Sequence, residues 1–168
     1  MIKHKLIALL VTAGFYFAAI AQPTHVVTDP EKKYKDAKEL FVKEQYALAY
    51  PLFKALKQQY PDNSISNHTY INDDVNYFYI VCQLKLQQAI AEPEAKQYIE
   101  AISNEPRRQM MSYHLAKFYF TKEDFSNAIT YYERAGLDNL SNDEIADAKF
   151  EKAYCFTRKH FCVSAALL

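Results

Sequence analysis

Two cysteine–histidine combinations are the residues of this chain best suited to covalent chemistry. Cys155 lies five positions before His160, and Cys82 lies 32 positions before His114. A thiolate nucleophile needs an imidazole within hydrogen-bond reach and a third group to orient it, and neither combination belongs to a known local motif. Free cysteines in apolar helices are usually core residues. We therefore predict that the chain is not an enzyme, and the roles of Cys82, Cys155 and Cys162 stay open.

Other polar groups offer ligand types without completing a site. His160-Phe161-Cys162 has metal-binding residue types, but no second His/Cys cluster supplies the four ligands of a closed zinc site. The acidic pairs Asp73-Asp74 and Asp143-Glu144 fall at predicted helix starts, where the helix dipole accounts for them. Two glycines in 168 residues exclude a glycine-rich phosphate loop. Arg107-Arg108 is the only adjacent arginine pair in a chain with 20 basic and 20 acidic residues. We expect no cofactor, no metal and no nucleic-acid partner.

Helices must position whatever site the chain has. Apolar and aromatic residues recur at steps of three and four, as on one face of an amphipathic helix. The scarcity of glycine disfavours the tight turns of a β design. Gly136 is placed to end the sixth helix with positive φ, Ser141 and Glu144 form a capping box that opens the seventh, and Phe161 is predicted to begin an eighth. The sequence predicts an all-α fold of antiparallel helix hairpins, in units of about 30–61, 73–104, 106–136 and 142–168, the last incomplete.

The hairpins resemble the tetratricopeptide repeat, in which a large, a small and an aromatic residue on the first helix are followed by a turn, an aromatic and a small crossing residue. The third unit carries this order best, and the first offers a shorter version that closes at Pro61. A small residue at the crossing lets paired helices approach closely. The resemblance implies an α-solenoid with these repeat-packing residues: Ala49, Phe53, Ala95, Leu115, Ala116, Tyr119, Phe125, Ala128 and Tyr132. In the second unit, Cys82 and Gln83 stand where a leucine and a small residue are expected.

Tyrosine is abundant, with 14 residues, and serves either to pack helices or to form an adhesive concave face. Five tyrosines lie beside the main apolar stripes rather than within them. If aromatic side chains contact a partner, we expect them among these five: Tyr50, Tyr79, Tyr98, Tyr113 and Tyr131.

The N-terminus has the pattern of a secretory signal. Lys3 and Lys5 precede an apolar run from Leu6 to Ala19, and Ala19-Ile20-Ala21 is a cleavage pattern. We predict a signal at residues 1–21, a short linker at 22–29 and one helical domain at 30–168, with no membrane span after the signal is removed. The apolar run is shorter than the roughly 20 residues of a spanning helix. No cysteine follows Ala21 to carry a lipid anchor, so the expected location is periplasmic or outer-membrane-associated.

The expected function is a protein-interaction scaffold that holds a partner polypeptide in the groove lined by the first helices of successive pairs. With its signal, the chain is similar to the start of long cell-envelope tetratricopeptide proteins of Bacteroidetes-type bacteria. Two alternatives remain. In the first, the repeats are the recognition arm of a longer periplasmic enzyme. In the second, they belong to an outer-membrane glycan-capture protein, and proteins of that group are normally lipid-anchored.

Overall fold

The computed structural model describes residues 30–59 and 69–165, and every regular element in these ranges is an α-helix. The all-α prediction is confirmed for this part of the chain. The predicted signal, the linker and Pro61 lie outside the described residues, as do the side chains of His160, Phe161 and Cys162. The seven helices are α1 (Pro30–Val42), α2 (Tyr46–Gln59), α3 (Thr69–Lys85), α4 (Ala91–Ala101), α5 (Glu105–Thr121), α6 (Phe125–Ala135) and α7 (Asn142–Ala165).

The turns after α1, α3 and α5 are built in the same way. Each has one residue with positive φ: Glu44 (58°), Gln87 (54°) and Glu123 (59°). The amide of that residue donates to the carbonyl three positions earlier, and the next amide donates to the carbonyl five positions earlier, with all six N···O distances between 2.9 and 3.1 Å. These are the two hydrogen bonds of a Schellman helix end. The two helices of each pair are therefore connected by the same type of turn in all three pairs.

The shared turn gives an internal alignment of the three pairs. A tyrosine lies ten positions before each positive-φ residue, at Tyr34, Tyr77 and Tyr113. Seven positions before it lie Ala37, Ile80 and Ala116, all essentially buried. Three positions before it lie Phe41, Leu84 and Phe120. The same side-chain types thus recur at the same distances from the same turn.

Contacts between the helices form two layers. Each helix contacts the next along the chain, and in addition α1 contacts α3, α3 contacts α5, and α5 contacts α7. Within the described ranges, the Cα atoms of α2, α4 and α6 do not approach within 8 Å of one another, and the ion pairs Lys57–Glu94 and Arg134–Glu100 link these helices through their side chains. We call α1, α3, α5 and α7 the odd-helix layer. It is the continuous side of the stack.

Aromatic packing joins the first two pairs. Phe78 of α3 lies against Phe41 of α1 and Phe53 of α2, with ring centroids 4.7 and 5.5 Å apart. Phe53 is fully buried. Because these rings come from three helices, the pairs share one hydrophobic core instead of folding as separate hairpins.

Three predicted details are wrong. α3 begins at Thr69, four residues before the predicted start, so Asp73 and Asp74 lie in its second turn rather than at the dipole end. α7 runs unbroken to Ala165, so no eighth helix begins at Phe161; no glycine or proline interrupts this segment. The second unit has a different register. Counted from the shared turn, Tyr79 and Ile80, not Cys82 and Gln83, match Leu115 and Ala116.

The register error has a physical origin. α4 begins four residues after its positive-φ residue, whereas α2 and α6 begin two residues after theirs. Ala95, used as the crossing residue of the second pair, is consequently displaced along the chain relative to Ala49 and Ala128.

The predicted end of α6 at Gly136 is confirmed in part, and the predicted start of α7 is confirmed in full. Gly136 ends α6 with φ 62°, as predicted, but its ψ of 166° is extended and not left-handed helical. A Cβ on Gly136 would meet the Gln109 side chain at 3.0 Å. Before α7, the Ser141 amide and hydroxyl donate to Glu144 Oε2 at 2.9 and 2.8 Å. The capping box is confirmed.

Candidate binding surface

A network of polar side chains links neighbouring helices of the odd-helix layer. At one end, the Tyr34 hydroxyl of α1 donates to Asp74 Oδ2 of α3 at 2.7 Å. The Arg107 guanidinium of α5 forms an ion pair with the other oxygen of Asp74. Arg107 also lies over the Tyr77 ring, 4.5 Å from its centroid. Three successive odd helices are therefore joined by one carboxylate and one guanidinium.

The network continues through a largely buried histidine. His114 Nε2 of α5 and the Tyr77 hydroxyl of α3 share a hydrogen bond at 3.0 Å, while His114 Nδ1 is buried without a partner among the described residues. Burial lowers the pKa of His114 to about 3, with the positive charges of Lys85 and Lys117 acting in the same direction. The imidazole is thus neutral at pH 7.

At the other end, Lys117 of α5 connects to α7. Its Nζ lies 3.0 Å from Asp147 Oδ2 and 3.1 Å from Glu151 Oε1. Glu151 also accepts a hydrogen bond from the Tyr132 hydroxyl of α6. Burial by itself lowers the pKa of Lys117, but the hydrogen bonds and charges of Asp147 and Glu151 outweigh burial and raise it. Lys117 therefore remains an ammonium held between two carboxylates.

Two other lysines of this layer have no ion pair in the part of the chain that the structure describes. Lys38 of α1 lies 5.7 Å from the centroids of the Tyr34 and Phe78 rings. Lys85 of α3 lies 5.5 Å from the Tyr46 ring centroid. Partial desolvation of the Lys85 amine by neighbouring side chains lowers its pKa, and so does the nearby charge of Lys117. Both residues are exposed, so these amines are available to a negatively charged or carbonyl-rich ligand.

The described cysteines are not activated nucleophiles. Cys82 and Cys155 are fully buried. Burial raises the pKa of Cys82 to about 12 and that of Cys155 to about 11, whereas a reactive cysteine needs a lowered pKa. His114 bonds to Tyr77, and no hydrogen bond links it to Cys82 within the described residues. Both thiols are core groups here. The partner proposed for Cys155, His160, has its side chain outside the described residues.

The adjacent arginines point to different surfaces. Arg107 joins the network of the odd-helix layer. Arg108 lines an open cleft of about 520 Å³ with Ile99, Glu100, Glu105, Ser112 and Arg134. Its guanidinium donates to Glu105 and to the Ile102 carbonyl, both at 2.6 Å. Since the positive charges diverge and are each paired, they do not form a basic stripe.

Metal sites and membrane-spanning helices were not expected after the signal. In residues 30–59 and 69–165, no group of three or more His, Cys, Asp and Glu side chains could hold a metal ion. No helix among these residues is both long and apolar enough to cross a bilayer.

Four of the five tyrosines expected at an exposed contact face are buried. Tyr79, Tyr98, Tyr113 and Tyr131 retain 8%, 7%, 2% and 8% of their exposure. They pack on other rings: Tyr79 stacks on Tyr50 at 5.3 Å, and Tyr131 stacks on Tyr119 at 5.6 Å. The expectation that they face solvent is corrected. They lie between neighbouring helices. The apolar periodicity of a single helix does not indicate which of its side chains a neighbouring helix covers. Tyr50 alone is partly exposed.

The residues expected to pack the repeats lie inside the stack. Eight are buried, and only Phe125 is partly exposed, with its ring 6.0 Å from that of Tyr154. The three alanines at the proposed crossings, Ala49, Ala95 and Ala128, have no exposed surface. No volume is left there for a larger side chain.

The polar network of the odd-helix layer was not predicted from the sequence. Tyr34, Asp74, Arg107, His114 and Lys117 come from three helices, and none belongs to a motif. One signal was present: a tyrosine recurs ten positions before each turn. That signal is legible only after the turns are located.

Comparisons with known proteins add no relative. No family model matches the chain, and no curated protein and no solved structure matches it.

Proposed function

We propose that this chain is an α-solenoid scaffold of tetratricopeptide type that binds a partner polypeptide along the odd-helix layer. The observation that carries the proposal is the pattern of contacts: the Cα atoms of successive odd helices approach within 8 Å, whereas the even helices of the described residues reach one another through side-chain ion pairs. Closer spacing in one layer bends a stack toward that layer. The odd-helix layer is then the concave side, where an extended segment has the largest accessible contact area.

The chemistry of the layer suits a polypeptide. Its polar network and its aromatic rings alternate with exposed lysines, so it offers hydrogen bonds, ion pairs and apolar contact along one path. Glycan capture needs exposed aromatic faces for stacking, and four of the five tyrosines expected to contact a partner are buried. Polypeptide binding is therefore favoured. The signal expected at residues 1–21 supports a bacterial cell envelope as the location of the proposed scaffold.

Charge reversal on the two layers tests this function. The full chain is immobilised and used to capture proteins from an envelope extract, in parallel with Lys38→Glu/Lys85→Glu and with Lys54→Glu. Lys54 is an exposed lysine of α2, outside the odd-helix layer. We expect a protein retained by the unmodified chain and by Lys54→Glu, and lost with the double variant. Circular dichroism checks that all three remain folded. Equal retention by the three proteins contradicts the proposal.

A further inference from the structure

The outward face of α7 carries an apolar stripe that the described residues leave exposed. Ala146, Phe150, Ala153 and Thr157 follow at intervals of four, three and four, so they share one face, and all four are exposed. Phe150 retains 69% of its exposure, with Tyr154 at 42% and Phe156 at 40% on either side. The opposite face buries Ala148 and Cys155 against the stack. Three of the seven large exposed hydrophobic residues in the described part of the chain thus lie on this helix.

Charge is distributed unevenly along the same helix. The N-terminal half has four carboxylates and two lysines (Asp143, Glu144, Asp147, Glu151, Lys149 and Lys152), whereas the C-terminal half holds Arg158 and Lys159. Asp147 and Arg158 are 11 positions apart, three helical turns, and therefore lie on the same edge of the stripe.

Both edge residues have capacity for a further partner. Asp147 is 61% exposed although it holds Lys117. Arg158 lies over the Phe125 ring, 5.9 Å from its centroid, and forms no ion pair with the described residues. A binding partner with opposite charges at this edge would form an ion pair with each of these two residues.

We propose that this face docks a second copy of the chain, with the two α7 helices antiparallel. The midpoint between Asp147 and Arg158 falls between Lys152 and Ala153. A two-fold axis there sets Asp147 of each subunit against Arg158 of the partner subunit, and forms that ion pair twice. The small Ala153 lies at the crossing and leaves room for Phe150 from the opposite helix.

Self-pairing explains the features of the face together. A helix whose two halves have opposite charge is complementary to itself only when antiparallel. At about 1.5 Å per residue, α7 is roughly 36 Å long, which allows contact along several turns. A lipid surface would favour lysines and arginines around the stripe, whereas this edge carries the carboxylate of Asp147 as well as Arg158. The face lies on the last helix of the odd-helix layer, and Asp147 at its edge also holds Lys117 of the polar network.

A charge swap tests the arrangement. Sedimentation velocity of the full chain is compared with Asp147→Arg, Arg158→Asp and the double variant Asp147→Arg/Arg158→Asp. We expect the unmodified chain to dimerise, each single variant to weaken the dimer about tenfold or more because two ion pairs become two repulsions, and the double variant to recover most of the loss. Phe150→Glu should also give monomers, whereas Leu48→Glu, at an exposed leucine of α2, should not.

Several results would overturn this assignment. One is a chain that stays monomeric at all concentrations, and another is single variants that sediment like the unmodified chain. Failure of the double variant to recover, with all variants folded by circular dichroism, also rejects the antiparallel register.

Discussion

Acidification should destabilise this fold through His114, the largely buried histidine between α3 and α5. Its Nε2 bonds to the Tyr77 hydroxyl at 3.0 Å, its ring contacts those of Tyr77 and Tyr113 at 6.1 and 5.5 Å, and the charges nearest to it are Lys85 and Lys117. No carboxylate contributes to its pKa. A proton on this imidazole would be an uncompensated buried charge beside two ammonium groups.

The size of the effect follows from the difference in pKa. The folded-state pKa of His114 is about 3, against an ordinary value of 6.5. Between these values the unfolded chain binds a proton that the folded chain does not, so stability rises with pH. The stabilisation is complete above pH 6.5 and is lost as pH falls toward 3. At about 1.4 kcal/mol per pH unit, the loss between pH 6.5 and pH 5 is about 2 kcal/mol.

Urea unfolding at pH 7 and pH 5, followed by circular dichroism, measures this loss. The control is His114→Gln, whose amide keeps a hydrogen bond to Tyr77 but does not titrate. Other groups titrate equally in both proteins, so the difference between their pH dependences isolates His114. We expect the unmodified chain to lose about 2 kcal/mol more than the variant over this range. Identical pH dependence in the two proteins would refute the assignment of a buried neutral imidazole.

Three substitutions test the packing and the turns by chemical denaturation. Ala49→Leu should reduce stability by about 1–3 kcal/mol, because Ala49 has no exposed surface, whereas Ala47→Leu on the exposed side of α2 should have little effect. Gln83→Leu should raise stability by about 1–2 kcal/mol, since neither amide atom of this fully buried side chain has a partner among the described residues. Glu123→Gly should raise stability by up to about 1 kcal/mol by relieving a positive φ, whereas Thr130→Gly inside α6 should lower it.

The helices were predictable because their signals are local. The capping box at Ser141 and the glycine at the end of α6 are read from neighbouring residues, and both were located correctly. The three shared turns were harder to find, because glutamate and glutamine occupy a conformation that usually favours glycine. Without the turns, the second unit was placed three residues out of register.

The surface required tertiary information. Tyr79 and Tyr131 lie off the main stripe of their own helices, yet each is covered by a neighbouring helix. Likewise, Asp74 and Arg107 form an ion pair although they lie 33 positions apart in the sequence. Periodicity defines which face of a helix is apolar, but it does not define how far the next helix extends over that face. The polar network was therefore invisible until the pairs were stacked.

The most direct test of the proposed function is to find which layer a bound polypeptide contacts. A photo-crosslinking amino acid is placed at Lys38 or Lys85 in the odd-helix layer, and at Leu48 or Lys54 on α2, in the full chain exposed to an envelope extract. The scaffold predicts one protein adduct that forms from Lys38 and Lys85 and is absent from Leu48 and Lys54. Adducts that form equally from both layers, or only from α2, would contradict it.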